Sequence, residues 1–326
     1  MPGILTTAIS DDCSKVCALD NRGFLWTWDI RGAASDSRIP SFRLQVANQV
    51  AKMKEDAKIL FTSARTLAVS VGNILLFIDC DHMLQSDVVF SDFSNPDPDY
   101  LISRTGLPYR IACMTSSSNE EVLVGTESGV VVAIGSTGRI LRILPTGFTE
   151  RITALAFVSP FSLIVGTERG RILLLNYDSG SVKSTWKSSQ AQSSISSLAL
   201  DPRGNWFAAL VSTCGKINLV SGSTRSLVRV FESKGLPSGV NRCEFARLSS
   251  SGLSIIVGGV STPLTVFPLD LSNLGTTRNQ LNLTGLENLS RSRRGEYVSV
   301  TSTNNGGEIQ ILAGSNLALV RKLLAF

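Results

Sequence analysis

Val124-Gly125-Thr126-Glu127-Ser128-Gly129 recurs, with one change, as Val165-Gly166-Thr167-Glu168-Arg169-Gly170. The copies start 41 residues apart. An aliphatic residue precedes each (Leu123, Ile164), and an aliphatic run follows each. Short strands and tight turns repeating at about 40–45 residues are the mark of a β-propeller, in which each repeat is one blade of four strands.

Laid outward, this phrase sets a template of strand, polar turn, strand, Gly-containing turn, strand, turn, strand. The fourth copy fits best: Ile152–Phe157, Ser162–Gly166, Arg171–Tyr177 and Val182–Lys187, broken at Ser159-Pro160, Glu168-Arg169-Gly170 and Asp178-Ser179-Gly180. The third copy covers Arg110–Thr146 and the fifth Ile195–Glu232. The first runs Leu5–Ser10, Lys15–Leu19 and Phe24–Ile30, with Phe42–Val46 as its outer strand. The second has Ile59–Ser63, Leu67–Val71 and Ile74–Cys80, preceded by helical turns in Ala47–Ala57. The sixth runs from Val240 to a strand near Leu281, and the seventh from Leu286 to a last strand at Leu317–Leu324. Asp87–Arg104, with Asn95-Pro96 and Asp97-Pro98, is expected to be a long loop. The expected fold is all-β: one seven-bladed propeller of four-stranded antiparallel blades over residues 1–326.

The bulk composition agrees. Charged residues are 17% of the 326, below the usual ~25%. Lys and Arg total 31 and Asp and Glu 26, a net charge of +5. That balance permits an acidic partner without requiring one. Six cysteines (13, 17, 80, 113, 214, 243) form no CxxC pair and read as buried free thiols of a reducing compartment. The single histidine, His82, leaves little from which to build a zinc site or a catalytic triad. No nucleophile elbow or phosphate-binding loop occurs, and Asp11-Asp12 reads as a turn. The expectations are no catalysis, no metal and no cofactor. No small-molecule substrate is expected, and no membrane span, because no apolar run approaches ~20 residues.

Trp28-Asp29 closes the third strand of the first copy and resembles the signature of WD40-repeat propellers. The other copies end differently, and the Gly-His that usually opens such a repeat is missing. The buried Asp-His-Ser-Trp network of that family is therefore not expected. Within the family, the layout is similar to a WD40 subunit of the THO complex. It opens directly on a first strand, has a WD-poor second blade before Pro108-Tyr109-Arg110, and ends at Leu324-Ala325-Phe326. The resemblance implies a nuclear scaffold in mRNA processing and export, with other subunits of a multiprotein complex as partners. Any RNA association would then run through those partners.

Two segments are candidates for contact. Trp28-Asp29-Ile30-Arg31 matches the W-D-x-R pattern of WD40 substrate receptors of cullin-4 ubiquitin ligases, which makes Trp28, Asp29 and Arg31 candidate protein-binding residues. Ser290-Arg291-Ser292-Arg293-Arg294 is the densest basic run, expected in a turn between the first two strands of the last copy. Arg291, Arg293 and Arg294 are candidate phosphate or RNA contacts, although no aromatic residue is interleaved with them.

Overall fold

The computed structural model describes residues 3–30, 42–46, 57–85, 100–117, 119–158, 161–187, 193–201, 206–211, 216–221, 227–231, 240–247, 253–259, 262–268, 279–281, 283, 286–291, 296–302, 308–313 and 318–324. Among them, 28 strands pair into seven four-stranded antiparallel sheets. The first holds β1 (Ile4–Ile9), β2 (Lys15–Asp20), β3 (Phe24–Asp29) and β4 (Phe42–Gln45). The second holds β5 (Ala57–Phe61), β6 (Thr66–Val71), β7 (Ile74–Asp79) and β8 (Leu101–Gly106), with a short helix α1 (Cys80–Gln85) after β7. Next come β9 (Ile111–Ser116), β10 (Val122–Thr126), β11 (Val130–Ile134) and β12 (Ile140–Pro145), and then β13 (Ile152–Phe157), β14 (Ser162–Thr167), β15 (Arg171–Asn176) and β16 (Val182–Lys187). The fifth sheet is β17 (Ile195–Leu200), β18 (Trp206–Val211), β19 (Lys216–Ser221) and β20 (Leu227–Phe231). The sixth is β21 (Val240–Arg247), β22 (Leu253–Gly259), β23 (Thr262–Pro268) and β24 (Asn279–Leu281). The last is β25 (Leu286–Arg291), β26 (Tyr297–Ser302), β27 (Glu308–Ala313) and β28 (Leu319–Leu324).

Each sheet is a simple meander. The first strands neighbour one another in chain order, β1 to β5 and so on to β25, and β25 returns to β1. The arrangement is a β-propeller, with the first strand of each blade on the channel wall.

The core lies between blades, because a lone blade has two apolar faces and no second layer to cover them. Leu123, Val131 and Ala133 of the third blade pack on Leu155, Val165 and Leu173 of the fourth. Trp26 and Trp28 of the first pack on Ile309, Ile311 and Leu323 of the last. That seam closes the ring without exchange of a strand between the two blades. Thr7 adds a 2.9 Å hydroxyl contact to Ser299 there.

The repeated phrase now has a reason at each letter. Val124 and Val165 are buried strand residues. Gly125 and Gly166 lie under the next blade: a Cβ on Gly166 would sit 2.6 Å from Ile195 Cγ2, and one on Gly125 2.6 Å from Ile152 Cγ2. Thr126 Oγ1 accepts from Val130 N (3.1 Å) and Thr167 Oγ1 from Arg171 N (3.1 Å), which ties each turn. Glu127 N and Glu168 N donate to Arg110 O and Arg151 O at the start of each blade. Gly129 takes φ +78 and Gly170 φ +75, the left-handed region that a side chain resists.

Four expectations change. Leu101–Gly106 is a strand rather than the tail of a loop. It pairs with β7, and Ser103 and Thr105 donate to Ser136 O (2.8 Å) and Gly138 O (2.7 Å) of the next blade. The proposed loop residues 87–99, and 47–56 of the expected helical turns, lie outside the described residues; Ala57 opens a strand. Cys80 begins α1 instead of ending β7, because Asp79 Oδ1 accepts from the N–H groups of Asp81 (2.9 Å) and His82 (3.1 Å) and so caps a helix. The last strand begins at Leu319, two residues later than expected.

Candidate interaction surface

The C-terminal ends of the first strands converge on one mouth of the channel. They line a cavity of 780 Å³, with Thr7–Ile9, Met114–Ser116, Leu155–Phe157, Glu244 and Arg291 among its walls. The turns between first and second strands open on the same face. So do the ends of the third strands: Ile30 N donates to Ser14 O (2.7 Å), and Cys80 N to Arg65 O (2.8 Å).

Arg291 is the last residue of β25, not a turn residue. Its Nε pairs with Glu244 Oε2 at 3.0 Å, and its Nη2 donates to Leu200 O at 2.8 Å. One guanidinium thereby joins the last three blades. Burial pushes the Glu244 carboxyl up, and the neighbouring Arg291 opposes that shift. The sequence pattern read Arg291 as part of a basic run; nothing local signals a carboxylate 47 residues away. Arg293 and Arg294 lie outside the described residues.

Trp28 is buried at 1% exposure in the seam of the ring. Its role in the structure is packing. Asp29, at the end of β3, pairs in register with Lys15 and emerges on the mouth-bearing face. Arg31 lies outside the described residues.

Beside Asp29 is a charged cluster that sequence reading did not find. Lys15, its side chain 3% exposed, reaches Asp81 Oδ1 at 2.9 Å and Ala64 O at 3.1 Å. Arg65 pairs with Asp79 Oδ2 at 2.8 Å, and His82 Nδ1 lies 3.5 Å from the same oxygen. Burial works against the Asp79 charge, but hydrogen bonds from Arg65, His82 and Asp81 outweigh it and hold the carboxyl below its usual range. Asp12 behaves alike: burial is outweighed by Ser14 and Ser10, so Asp11-Asp12 does form a turn, closed on itself.

A second omission concerns polar bonding in the blades. Trp26 Nε1 donates to buried Asp20 at 3.0 Å, and the same carboxylate accepts from the backbone of Arg22 and Phe24, both at 2.9 Å. The first blade therefore has a buried Asp–Trp bond, although the full Asp-His-Ser-Trp network was not expected. Other polar side chains join neighbouring blades, as when Thr153 Oγ1 donates to Ile195 O at 2.6 Å. Cys113 and Cys243 are buried free thiols, each pushed up to about 12 by burial; Cys214 lies outside the described residues. Among the described residues, no group of three or more His, Cys, Asp or Glu is placed to hold a metal ion.

No family model and no curated protein matches the chain. A solved structure does: a chain of the "Crystal Structure of Mitotic Checkpoint Complex" superposes with a TM-score of 0.70 over 92% of this chain and 84% of its own, at 16% identity. That neighbour is a WD40 β-propeller. The protein shares its fold. At this identity the likeness extends to architecture and no further.

Proposed function

We propose that the protein is a non-catalytic interaction scaffold, and specifically a WD40 subunit of a THO/TREX-like complex in nuclear mRNA processing and export. The observation that carries the scaffold reading is how the charges at the channel mouth are arranged. Arg291 is held by Glu244 and by Leu200 O, and Asp12 by its own turn. Large apolar side chains, by contrast, stand exposed on outer strands of several blades. That distribution suits docking on the outside of the ring better than chemistry inside it. The neighbouring fold was solved within a multiprotein complex, which supports protein partners in general. The mRNA-export assignment and the nuclear location rest on the layout of the sequence.

A second reading, a substrate receptor of a cullin-4 ligase, is favoured by one observation. Asp29-Ile30, which precedes Arg31 in the sequence, leaves β3 on the mouth-bearing face.

Affinity purification of the tagged protein from nuclear extract, with and without ribonuclease, tests both. The first reading predicts ribonuclease-resistant recovery of THO subunits. The second predicts recovery of the ligase adaptor, lost in Arg31→Ala. A protein retained by neither and found in cytosol would refute both.

A further inference from the structure

Cys17 and Cys80 belong to neighbouring blades and meet in the core between them. Cys17 lies in β2 of the first blade, and Cys80 opens α1 after β7 of the second. Both are free thiols at 0% exposure, and they share one buried cluster with Leu19, Leu67 and Ile78.

The backbone brings the two together. Alternate residues of a strand share a face, so Lys15 and Cys17 point the same way from β2. Lys15 crosses from that face to the second blade, where its Nζ lies 2.9 Å from Asp81 Oδ1 and donates to Ala64 O at 3.1 Å. Asp81 directly follows Cys80. Cys80 N donates to Arg65 O at 2.8 Å, which fixes the start of α1 against the turn before β6. Next to this ion pair, the Cys80 and Cys17 thiols are hydrogen-bonded to each other. Cys17 Sγ also lies 3.4 Å from Thr27 Oγ1, its register partner on β3. The bond to Cys17, together with burial, pushes the Cys80 thiol well up, and the Lys15 ammonium opposes that shift. The Cys113 thiol, by contrast, donates to a carbonyl, Ile152 O at 3.7 Å.

We propose that Cys17 and Cys80 are a redox pair, closed to a disulfide by hydrogen peroxide, which ties the first blade to the second. One thiol attacks a peroxide oxygen. The O–O bond breaks, the sulfur becomes a sulfenic acid, and the thiol proton leaves with the expelled hydroxide as water. The second thiol attacks that sulfur. The S–S bond forms, the S–O bond breaks, and the second thiol proton completes another water. The two sulfurs together lose two electrons, and the peroxide gains them. A second thiol already in contact diverts the sulfenic acid to a disulfide before further oxidation. Peroxide suits this pair because the oxidant must enter a core closed to bulk solvent. Since the thiols touch in the reduced fold, the link forms without parting the blades, and it constrains the unfolded chain.

The test uses the full chain, reduced, freed of reductant and treated with hydrogen peroxide without denaturant. Free thiols are then alkylated, and the unreduced digest is read by mass spectrometry. Joined peptides carrying Cys17 and Cys80 are expected, lighter by two hydrogens than the separate pair. The melting temperature should rise by about 5 °C and return to its starting value with dithiothreitol. Cys80→Ala should show neither the link nor the rise, and Cys113→Ala should show both. Alkylation of the wild-type chain after unfolding needs no variant: peroxide should protect Cys17 and Cys80 together and in equal measure. A link from either cysteine to a different one, sulfinic acid at either without a link, a link formed only in denaturant, or a link that leaves the melting temperature unchanged or lower would each overturn the proposal.

Discussion

Gly166→Ala is the sharpest probe of how the blades interlock. The backbone at Gly166 is not left-handed, so the glycine is required by its neighbour alone. An added Cβ would lie 2.6 Å from Ile195 Cγ2 and 2.8 Å from Ile195 Cβ. Carbon atoms prefer about 3.5–4.0 Å, so one blade must move by roughly 1 Å against its neighbour. Overpacking of a filled core costs about 1–3 kcal/mol. Removing a glycine from a strand returns about 0.5–1 kcal/mol. The expected net loss is about 1–2 kcal/mol, read as a lower urea midpoint at unchanged slope. Ile195→Ala alone should cost about 2–5 kcal/mol. The double variant should then be more stable than the sum of the two single losses by about 1 kcal/mol, because the alanine at 195 makes room. Gly125→Ala, facing Ile152 at the same distance, should behave alike. Gly258→Ala should cost less, since the atom it meets is Cδ2, the flexible end of Leu286. Wild-type stability of Gly166→Ala, or additivity with Ile195→Ala within about 0.5 kcal/mol, would show that Gly166 and Ile195 do not interlock the two blades.

Arg291→Met should destabilise by about 3 kcal/mol, the low end for a broken buried pair, because both side chains keep some exposure; thermal unfolding of this variant beside Glu244→Gln/Arg291→Met, which should recover part of the loss, checks it. Asp20→Asn leaves Trp26 Nε1 with a weaker acceptor and should cost about 1–2 kcal/mol, measured by urea unfolding. The carboxyls of Asp79 and Asp12 are lowered in the fold, so their contribution is complete above the ordinary value of 3.8 and is lost as pH falls through the folded values. The double variant Asp12→Asn/Asp79→Asn should therefore show a shallower loss of stability below pH 4 than the native chain, and an unchanged acid limb would contradict the assignment.

The spacing of the repeated phrase was enough to place most strands, because turn chemistry and aliphatic runs are local. The central blades matched nearly residue for residue: Ile152–Phe157 is a strand in both readings. Legibility failed where the deciding partner is distant. β8 was hidden because Leu101–Gly106 has few β-branched residues and follows two Asx-Pro steps; its partners are β7 and the turn of the next blade. α1 was hidden because its cap, Asp79, looks like a strand end until Arg65 is seen beside it. The site was less legible than the fold. Trp28 reads as half of a docking motif, yet its ring is needed to seal the seam. Arg291 reads as a surface cation, yet Glu244 holds it at the channel. The exposed edge of β12 carries an ordinary aliphatic pattern, and only its place as outermost strand shows that Ile143 lies uncovered.

The blades are held together as a closed ring, with the first and last locked through Trp26, Trp28, Ile309, Ile311 and Leu323. Deleting residues 286–326 removes the last blade and uncovers that cluster. The most direct measurement is the unfolding of this shortened chain by circular dichroism, with its mass in solution. Loss of the cooperative transition, with aggregation of the shortened chain, is the predicted result. A monomer that melts cooperatively at the temperature of the full chain would show that the blades stand without closure of the ring.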